Sequence, residues 1–249
     1  MVSGARWRVG HLEEKNAGFL GKPLVYSHLY RVRSMHRHIV EQHLDALRRT
    51  GMRIASESEP LLLPVPEESR LSAEAKMRDA GWRGEPILLF NPSSRCVYKC
   101  LPETTVAKVM EGLHGDGYRI AIASGPQEEE RRMCREILTH CKVPVLDLGG
   151  SLDLLELGAA LGHAKGFLGS DSLPMHMAAA QGVPTIAWFG PLPDALWRPW
   201  MVPHRVVAQD LSCRPCNFEG CGDGMISECL AGMPADMILS QARELLPAP

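Results

Sequence analysis

The sequence predicts an α/β fold built on a doubly wound parallel sheet, and three observations predict it. From about residue 86 short apolar runs alternate with segments of helical period, the pattern of repeated strand and helix units. Each run ends in a polar or glycine-containing turn where the next helix starts. One such turn, Gly169-Ser170-Asp171-Ser172-Leu173-Pro174-Met175-His176-Met177, runs straight into three alanines. It leaves several backbone N–H groups at the carboxyl end of a strand, an arrangement that binds phosphate.

Taken in order, Arg33 to Thr50 reads as a helix with Ile39, Val40, His43, Leu44 and Leu47 on one side and Gly51 as its stop. Residues 1 to 30 show no clear period. Leu61-Leu62-Leu63-Pro64-Val65-Pro66 opens a connector over residues 60–85, since two prolines in six residues favour an extended chain. Pro86 to Phe90 is a buried strand, and Val106, Val109, Met110 and Leu113 fall on one face of a helix opened by Pro102. Tyr118 to Ala123 is the next strand and ends at Ser124-Gly125. A helix from Glu128 to His140 and a strand from Val143 to Leu146 follow, and Ser151 is placed to cap the Leu-rich helix that runs to Leu161. Strands near 167 and 186 bring the count to five, and a last helix runs from about Pro234 to Leu246. Pro174 suits a first helical turn because it lacks the N–H that would be orphaned there, and Asp171 or Ser172 can cap that turn.

Composition narrows the function classes. The chain has 249 residues, 45% of them hydrophobic, and a net charge of -2, enough apolar material for a sizeable core. No run approaches the ~18 apolar residues of a spanning helix, and the first residues lack a basic-then-apolar leader, so a cytoplasmic location is expected. The charge is uneven. Residues 1–53 hold ten Lys/Arg against four acids, a balance of +6 that leaves -8 for the rest. An anionic partner would meet the amino-terminal end; a solvated helix face is the alternative. Nothing suggests nucleic acid.

The eight cysteines fall into two groups. Cys96, Cys100, Cys134 and Cys141 are scattered and read as buried thiols, small hydrophobes in effect. Cys213-x2-Cys216-x4-Cys221-x7-Cys229, with Gly220, Gly222 and Gly224 between, has the spacing of a closed tetrahedral site for structural zinc or an iron–sulfur centre. With all four positions filled by thiolates it leaves none for substrate. Free thiols are the alternative.

The stretch Asp171 to Ala180, with Phe189-Gly190-Pro191 after it, resembles the Asp-Ser-Gly-Pro-Met-His-Leu-Ala-Ala-Ala signature and following Phe-Gly-Pro of glycosyltransferase family 9, the bacterial lipopolysaccharide heptosyltransferases. The resemblance runs from about Gly4 to about Leu246. It implies the GT-B arrangement of two Rossmann-like domains: a complete carboxyl-terminal, nucleotide-sugar-binding domain over 86–249 with its Cys-rich segment at 213–229, and a partial acceptor-side domain over 1–59. The family's opening strands, and the loop bearing its acidic catalytic base, have no counterpart in this sequence.

By that resemblance the chain transfers heptose or a related sugar, with inversion, from an ADP-sugar to the anionic lipopolysaccharide inner core. Transfer needs no cofactor, and the enzyme works at the cytoplasmic side of the inner membrane, with peripheral contact there. Asn91-Pro92-Ser93-Ser94 followed by Lys99 resembles the family's strand-end loop and its downstream lysine. Ser93 and Ser94 would hold phosphate oxygens, and Lys99 would offset charge on the departing diphosphate. Asp171, Ser172, Leu173 and His176 match the helix-start signature; His176 would donate to a phosphate or sugar oxygen, and Asp171 would cap the turn or accept from sugar hydroxyls. Glu128 would meet the ribose, or simply complement the helix dipole. Leu173 stands where the family commonly has Gly, and Leu192 where a small hydroxyl residue is usual. The Cys-x-Pro-Cys pattern recurs in a subset of the family.

The competing expectation is a non-catalytic nucleotide-sugar-binding remnant, or one partner of a split enzyme. A nicotinamide-dependent oxidoreductase would need a Gly-x-Gly-x-x-Gly turn after a strand, and none stands in that context.

Overall fold

A computed structural model describes residues 4–12, 22–31, 36–54, 59–222 and 224–246. The chain divides into two compact units, residues 1–59 with Ala195–Trp197, and residues 60–194 with 198–249.

The first unit pairs two short parallel strands, β1 (Val9–Leu12) and β2 (His28–Arg31), with helices α1 (Lys22–Val25) and α2 (Ile39–Arg48). Gly10 is required by close approach, because a Cβ there would stand 2.5 Å from the Tyr26 ring. The expected start of α2 at Arg33 lies outside the described residues, as do Glu13, Glu14 and Lys15. Helix α2 begins at Ile39, where the His38 ring accepts from the Val40 N–H at 3.2 Å. Its inner face differs from expectation: His43 and Leu47 are exposed, whereas Gln42 is buried. Gln42 tolerates burial because its amide donates to the Arg37 carbonyl at 2.6 Å. Part of the positive charge is consumed locally. Arg37 and Arg48 both pair with Glu41 and Asp45, and Arg8 donates to the Val25 carbonyl at 2.6 Å.

The second unit carries the doubly wound sheet. The stretch expected as connector is extended only to Pro66 and then forms α3 (Glu67–Asp79). Ala73 and Met77 of α3 are fully buried. After it come β3 (Ile87–Asn91), α4 (Glu103–Gly115), β4 (Arg119–Ser124), α5 (Glu128–His140), β5 (Val145–Gly149), α6 (Leu154–Leu161), β6 (Ala164–Ser170), α7 (Leu173–Ala180) and β7 (Thr185–Trp188). The short α8 (Asp194–Trp197), β8 (His204–Val207), α9 (Glu228–Ala231) and α10 (Ala235–Leu245) close the chain. The sheet has six strands rather than the five expected, in the order β5-β4-β3-β6-β7-β8, all parallel. His204-Arg205-Val206-Val207 was not read as a strand because it is short and half polar; it pairs with β7 all the same.

Hydrophobic burial drives this layering. Leu88, Phe90, Ile120, Ile122, Leu168 and Ile186 of the strands meet Val106, Met110 and Leu113 of α4 and Ile238 and Leu239 of α10 in one core. Each such side chain contributes roughly 1.5–3 kcal/mol when fully buried. Gly112 lets α4 and α10 approach, since a Cβ there would lie 2.7 Å from Leu239. Of the scattered cysteines only Cys134 is buried, the other three being half-buried. Burial pushes the Cys100 and Cys134 thiols up to about 12. The strand order reverses between β3 and β6: the chain adds strands outward on one side, then returns to add them on the other. Side chains at the carboxyl ends of these two neighbours therefore flank a natural crevice.

Candidate functional site

The crevice is a cavity of about 840 Å³. Its walls come from the loops after β3 (Asn91 to Lys99), β4 (Ser124 to Glu130), β5 (Gly150 to Leu157) and β6 (Asp171 to Pro174), with Lys76 reaching in from α3. The two loops that the sequence singled out, around Ser93 and around Ser172, meet directly. The Ser170 hydroxyl donates to the Ser93 carbonyl at 3.2 Å and lies 3.2 Å from the Ser172 hydroxyl. Lys99 Nζ, at the end of the short 3-10 turn Val97–Lys99, donates to both the carbonyl and Oδ2 of Asp171 at 3.2 Å. Gly169 permits this closeness, because a Cβ there would stand 2.7 Å from the Asn91 carbonyl.

Helix α7 begins at Ser172, which makes no side-chain cap. The expected capping by Asp171 or Ser172 is not formed, because the Ser172 hydroxyl turns back to the Ser170 carbonyl at 3.3 Å and Asp171 faces Lys99. Pro174 brings no N–H to the first turn and the Met175 N–H donates to the Ser172 carbonyl at 3.1 Å, so the Leu173 N–H and the positive end of the helix dipole are what this turn offers an anion. Helix α6 is capped by Asp153 rather than Ser151: Asp153 accepts from the Glu156 N–H at 2.8 Å, and Glu156 accepts from the Asp153 N–H at 2.7 Å. Ser151 instead donates to the Leu148 carbonyl.

Two lysine–carboxylate pairs line the cavity. Asp171 is buried, and burial pushes its carboxyl above the usual range with Lys99 offsetting only part of the rise. Glu156 is also buried, yet hydrogen bonds from Lys76, Ser72 and the Asp153 backbone outweigh burial and hold it down to about 2. Glu130 rests against Gly125, and burial raises its pKa despite a bond from the Gln127 backbone.

Of the residues expected at the site, Ser93, Ser94, Lys99, Asp171, Ser172 and Leu173 line the cavity. His176, half-buried on the second turn of α7, and Glu128 are not among the lining residues. Glu128 is exposed and paired with Arg135 and Arg131, and the bond from Arg135 lowers its pKa. The α5 end contributes Gln127 and Glu130 instead. Sequence reasoning missed Lys76, Glu130, Leu152 and Glu156, and placed Asn91 in the phosphate-holding loop without a role for its side chain. Glu130 and Glu156 had a readable signal, an acid three residues after a helix start; Lys76 had none, since its partner Glu156 is 80 positions away.

Cys213, Cys216, Cys221 and Cys229 lie apart from the cavity lining. Cys229 is buried, Cys213 and Cys221 are exposed, and all four are free thiols. Cys229 has its pKa raised first by burial and further by nearby Cys221 and Cys216, against Arg214. Among the described residues no group of three or more His, Cys, Asp or Glu is gathered at metal-holding distance, so the four-thiol cluster expected from the spacing is not assembled there. Nor, among them, is any helix long and apolar enough to cross a membrane.

The chain resembles solved structures in fold. It superimposes on a glycosyltransferase family 9 protein from Veillonella parvula with a TM-score of 0.76 at 21% identity, covering 96% of this chain and 67% of that one. On the Escherichia coli ADP-heptose lps heptosyltransferase II the TM-score is 0.71 at 19% identity, covering 97% and 70%. In sequence it is 32% identical over 163 residues to a lipopolysaccharide heptosyltransferase 3 of Escherichia coli, covering 65% of this chain and 47% of that protein. The chain thus spans about half the length of the relatives it matches. The model of glycosyltransferase family 9 (heptosyltransferase) matches residues 2–225, and with the parallel sheet and the paired strand-end loops this makes the chain a member of that family.

Proposed function

We propose that the second unit binds the donor of a heptosyl transfer, an ADP-sugar, and that the chain serves an inverting transfer to the anionic inner core of lipopolysaccharide. The observation that carries this reading is the junction of the β3 and β6 loops at the strand-order reversal, with Lys99 and the start of α7 facing one cavity. Lys99 supplies positive charge against the diphosphate, and its contribution grows as the glycosidic bond breaks and charge builds on the leaving group. The Leu173 N–H at the start of α7 and the Ser93, Ser94 and Ser172 hydroxyls supply donors. Asp171 keeps Lys99 turned inward and offers an acceptor to sugar hydroxyls. His176 and Glu128, away from the lining, would act on ligand parts that extend beyond the cavity. The apolar side chains of Leu152, Leu154 and Leu157 give a base a surface to rest on.

Calorimetric titration with ADP tests the reading. ADP binding that Lys99→Ala weakens at least tenfold is expected; equal heats from both proteins would contradict it.

For the acceptor, Arg31 and Arg49 line a concavity of about 610 Å³ in the first unit together with Asp45 and the Arg48 already paired to it, a surface for phosphorylated sugar. One observation favours a second reading, a donor-binding member of a two-part enzyme. Of the carboxylates on the cavity wall, Asp153 and Glu156 are tied into the capping box of α6, Glu130 accepts from the Gln127 backbone and Asp171 from Lys99, an arrangement that suits a donor-binding half. Heptose transfer by the chain alone from ADP-heptose would remove that second reading.

A structural zinc or iron–sulfur centre at Cys213, Cys216, Cys221 and Cys229 is supported by the donor chemistry, four thiols within 17 residues, with metal gathering the ligands. Metal analysis of the purified protein should find bound zinc or iron that Cys216→Ser loses. Metal-free protein with four titratable thiols would rule the centre out.

A further inference from the structure

The Asn91 carboxamide is buried without being satisfied. Asn91 closes β3, lies opposite Gly169 of β6 at the strand-order reversal, and lines the cavity. It is 1% exposed, and its Nδ2 has no hydrogen-bond partner. Two residues on, the Ser93 hydroxyl is equally buried and also without a partner. A buried donor left unpaired costs about 1–3 kcal/mol, and unsatisfied groups in folded proteins mark places where something else completes the bonding. Both orphan donors stand at the carboxyl end of β3, Asn91 as its last residue and Ser93 two residues on, and the same cavity is lined by Lys99, whose Nζ is held at the Asp171 carbonyl and carboxylate.

A ligand group that satisfies two donors and tolerates an adjacent ammonium is rich in acceptors and negatively charged. A base or ribose does not fit that description as well as a phosphoryl oxygen does. We infer that Asn91 is a ligand-binding residue that donates its carboxamide N–H to a non-bridging oxygen of the donor's diphosphate, with Ser93 donating alongside. This rests on the donor-site reading above and adds to it a neutral donor at the floor of the cavity. Asn91 senses the charge and acceptor capacity of the phosphoryl group rather than the identity of the base.

The test uses Asn91→Asp, which keeps the shape but removes the donor and adds negative charge, and Asn91→Leu, which removes the polar group and keeps the branched shape in a larger side chain. ADP and adenosine are titrated into wild type and both variants, and melting temperatures are taken without ligand. Asn91→Asp is expected to weaken ADP at least 30-fold and Asn91→Leu about tenfold, with adenosine changed less than threefold. Variants that bind ADP as wild type does would overturn the inference. So would an equal loss of ADP and adenosine, which is what a purely structural asparagine gives. Absence of ADP binding by wild type would instead bring down the donor-site reading, and this inference with it. Should Asn91→Leu fail to fold, the Asp variant alone decides by the same ADP-to-adenosine ratio.

Discussion

Lys76–Glu156 and Lys99–Asp171 are the same chemical pair on two walls of one cavity, and the fold treats them in opposite ways. Glu156 accepts from Lys76 at 2.6 and 2.7 Å, from Ser72 at 2.6 Å and from the Asp153 N–H, and its pKa is about 2. Asp171 has Lys99 alone, at 3.2 Å, and its pKa rises. Both side chains are closed to solvent, but Asp171 lies deeper among protein atoms and has fewer hydrogen bonds, and the two together turn its shift the other way. A fully satisfied carboxylate is a staple holding α3 against the first turn of α6. A carboxylate satisfied only in part, with its lysine held by long bonds, is a group that can be re-partnered when an anion arrives.

The largest effect expected from this contrast is on stability at Glu156. Its pKa is lowered from 4.5 to about 2, so its contribution is present above about pH 4.5 and is lost as pH falls toward 2. At 1.4 kcal/mol per unit this amounts to roughly 3 kcal/mol. Urea denaturation of Glu156→Gln should show that loss at pH 7 and a flattened stability profile between pH 4.5 and 2, with ADP affinity within threefold of wild type. An ADP defect without a stability defect would break the contrast.

Next in size is Lys99. Lys99→Met should weaken ADP about 30-fold by calorimetry, from losing a charge-assisted bond, while the unliganded protein loses less stability than Glu156→Gln does. The sign with pH is opposite to that of Glu156. A carboxyl whose folded pKa is raised contributes stability below its ordinary pKa and loses it as pH rises through the folded value. Without Lys99 this rise is larger, so the melting temperature of Lys99→Met should fall further behind wild type from pH 4 to pH 8. A constant gap would show that Asp171 does not depend on Lys99.

Gly169→Ala tests the junction itself. The new methyl would meet the Phe167 ring at 2.5 Å and the Asn91 carbonyl at 2.7 Å, and overpacking of this kind costs about 1–3 kcal/mol. Both melting temperature and ADP affinity should drop. The smallest effect is expected at Leu173, which is 54% exposed at the cavity edge. Leu173→Gly should change stability by less than about 1 kcal/mol, the helix-start cost of glycine, and leave ADP affinity the same or better; a large loss would make Leu173 a contact rather than a crowding group.

The same contrast explains what could be read before the fold was known. Strand runs such as Ile87 to Phe90 and the α4 face of Val106, Val109, Met110 and Leu113 were legible because periodicity reports burial directly. The Ser93 loop, Lys99 and the Asp171 turn were legible because phosphate chemistry concentrates at strand ends with local motifs. Lys76 and Glu156 were not, since a staple between residues 80 apart leaves no local trace. Asn91 was read as part of a loop and not as a donor, because its distinguishing property, an unpaired buried nitrogen, exists only once β6 packs beside it. β8 escaped because four half-polar residues gain their strand geometry from β7. Glu128 was preferred over Glu130 by motif position, and the helical turn carried it away from the cavity wall.

A crystal structure of the chain with ADP decides where the donor sits. The diphosphate is expected between the Ser93 loop and the first turn of α7, within hydrogen-bonding distance of Lys99 Nζ and Asn91 Nδ2. A diphosphate bound at the Lys76 and α6 end, with Lys99 still closed on Asp171, would contradict that placement.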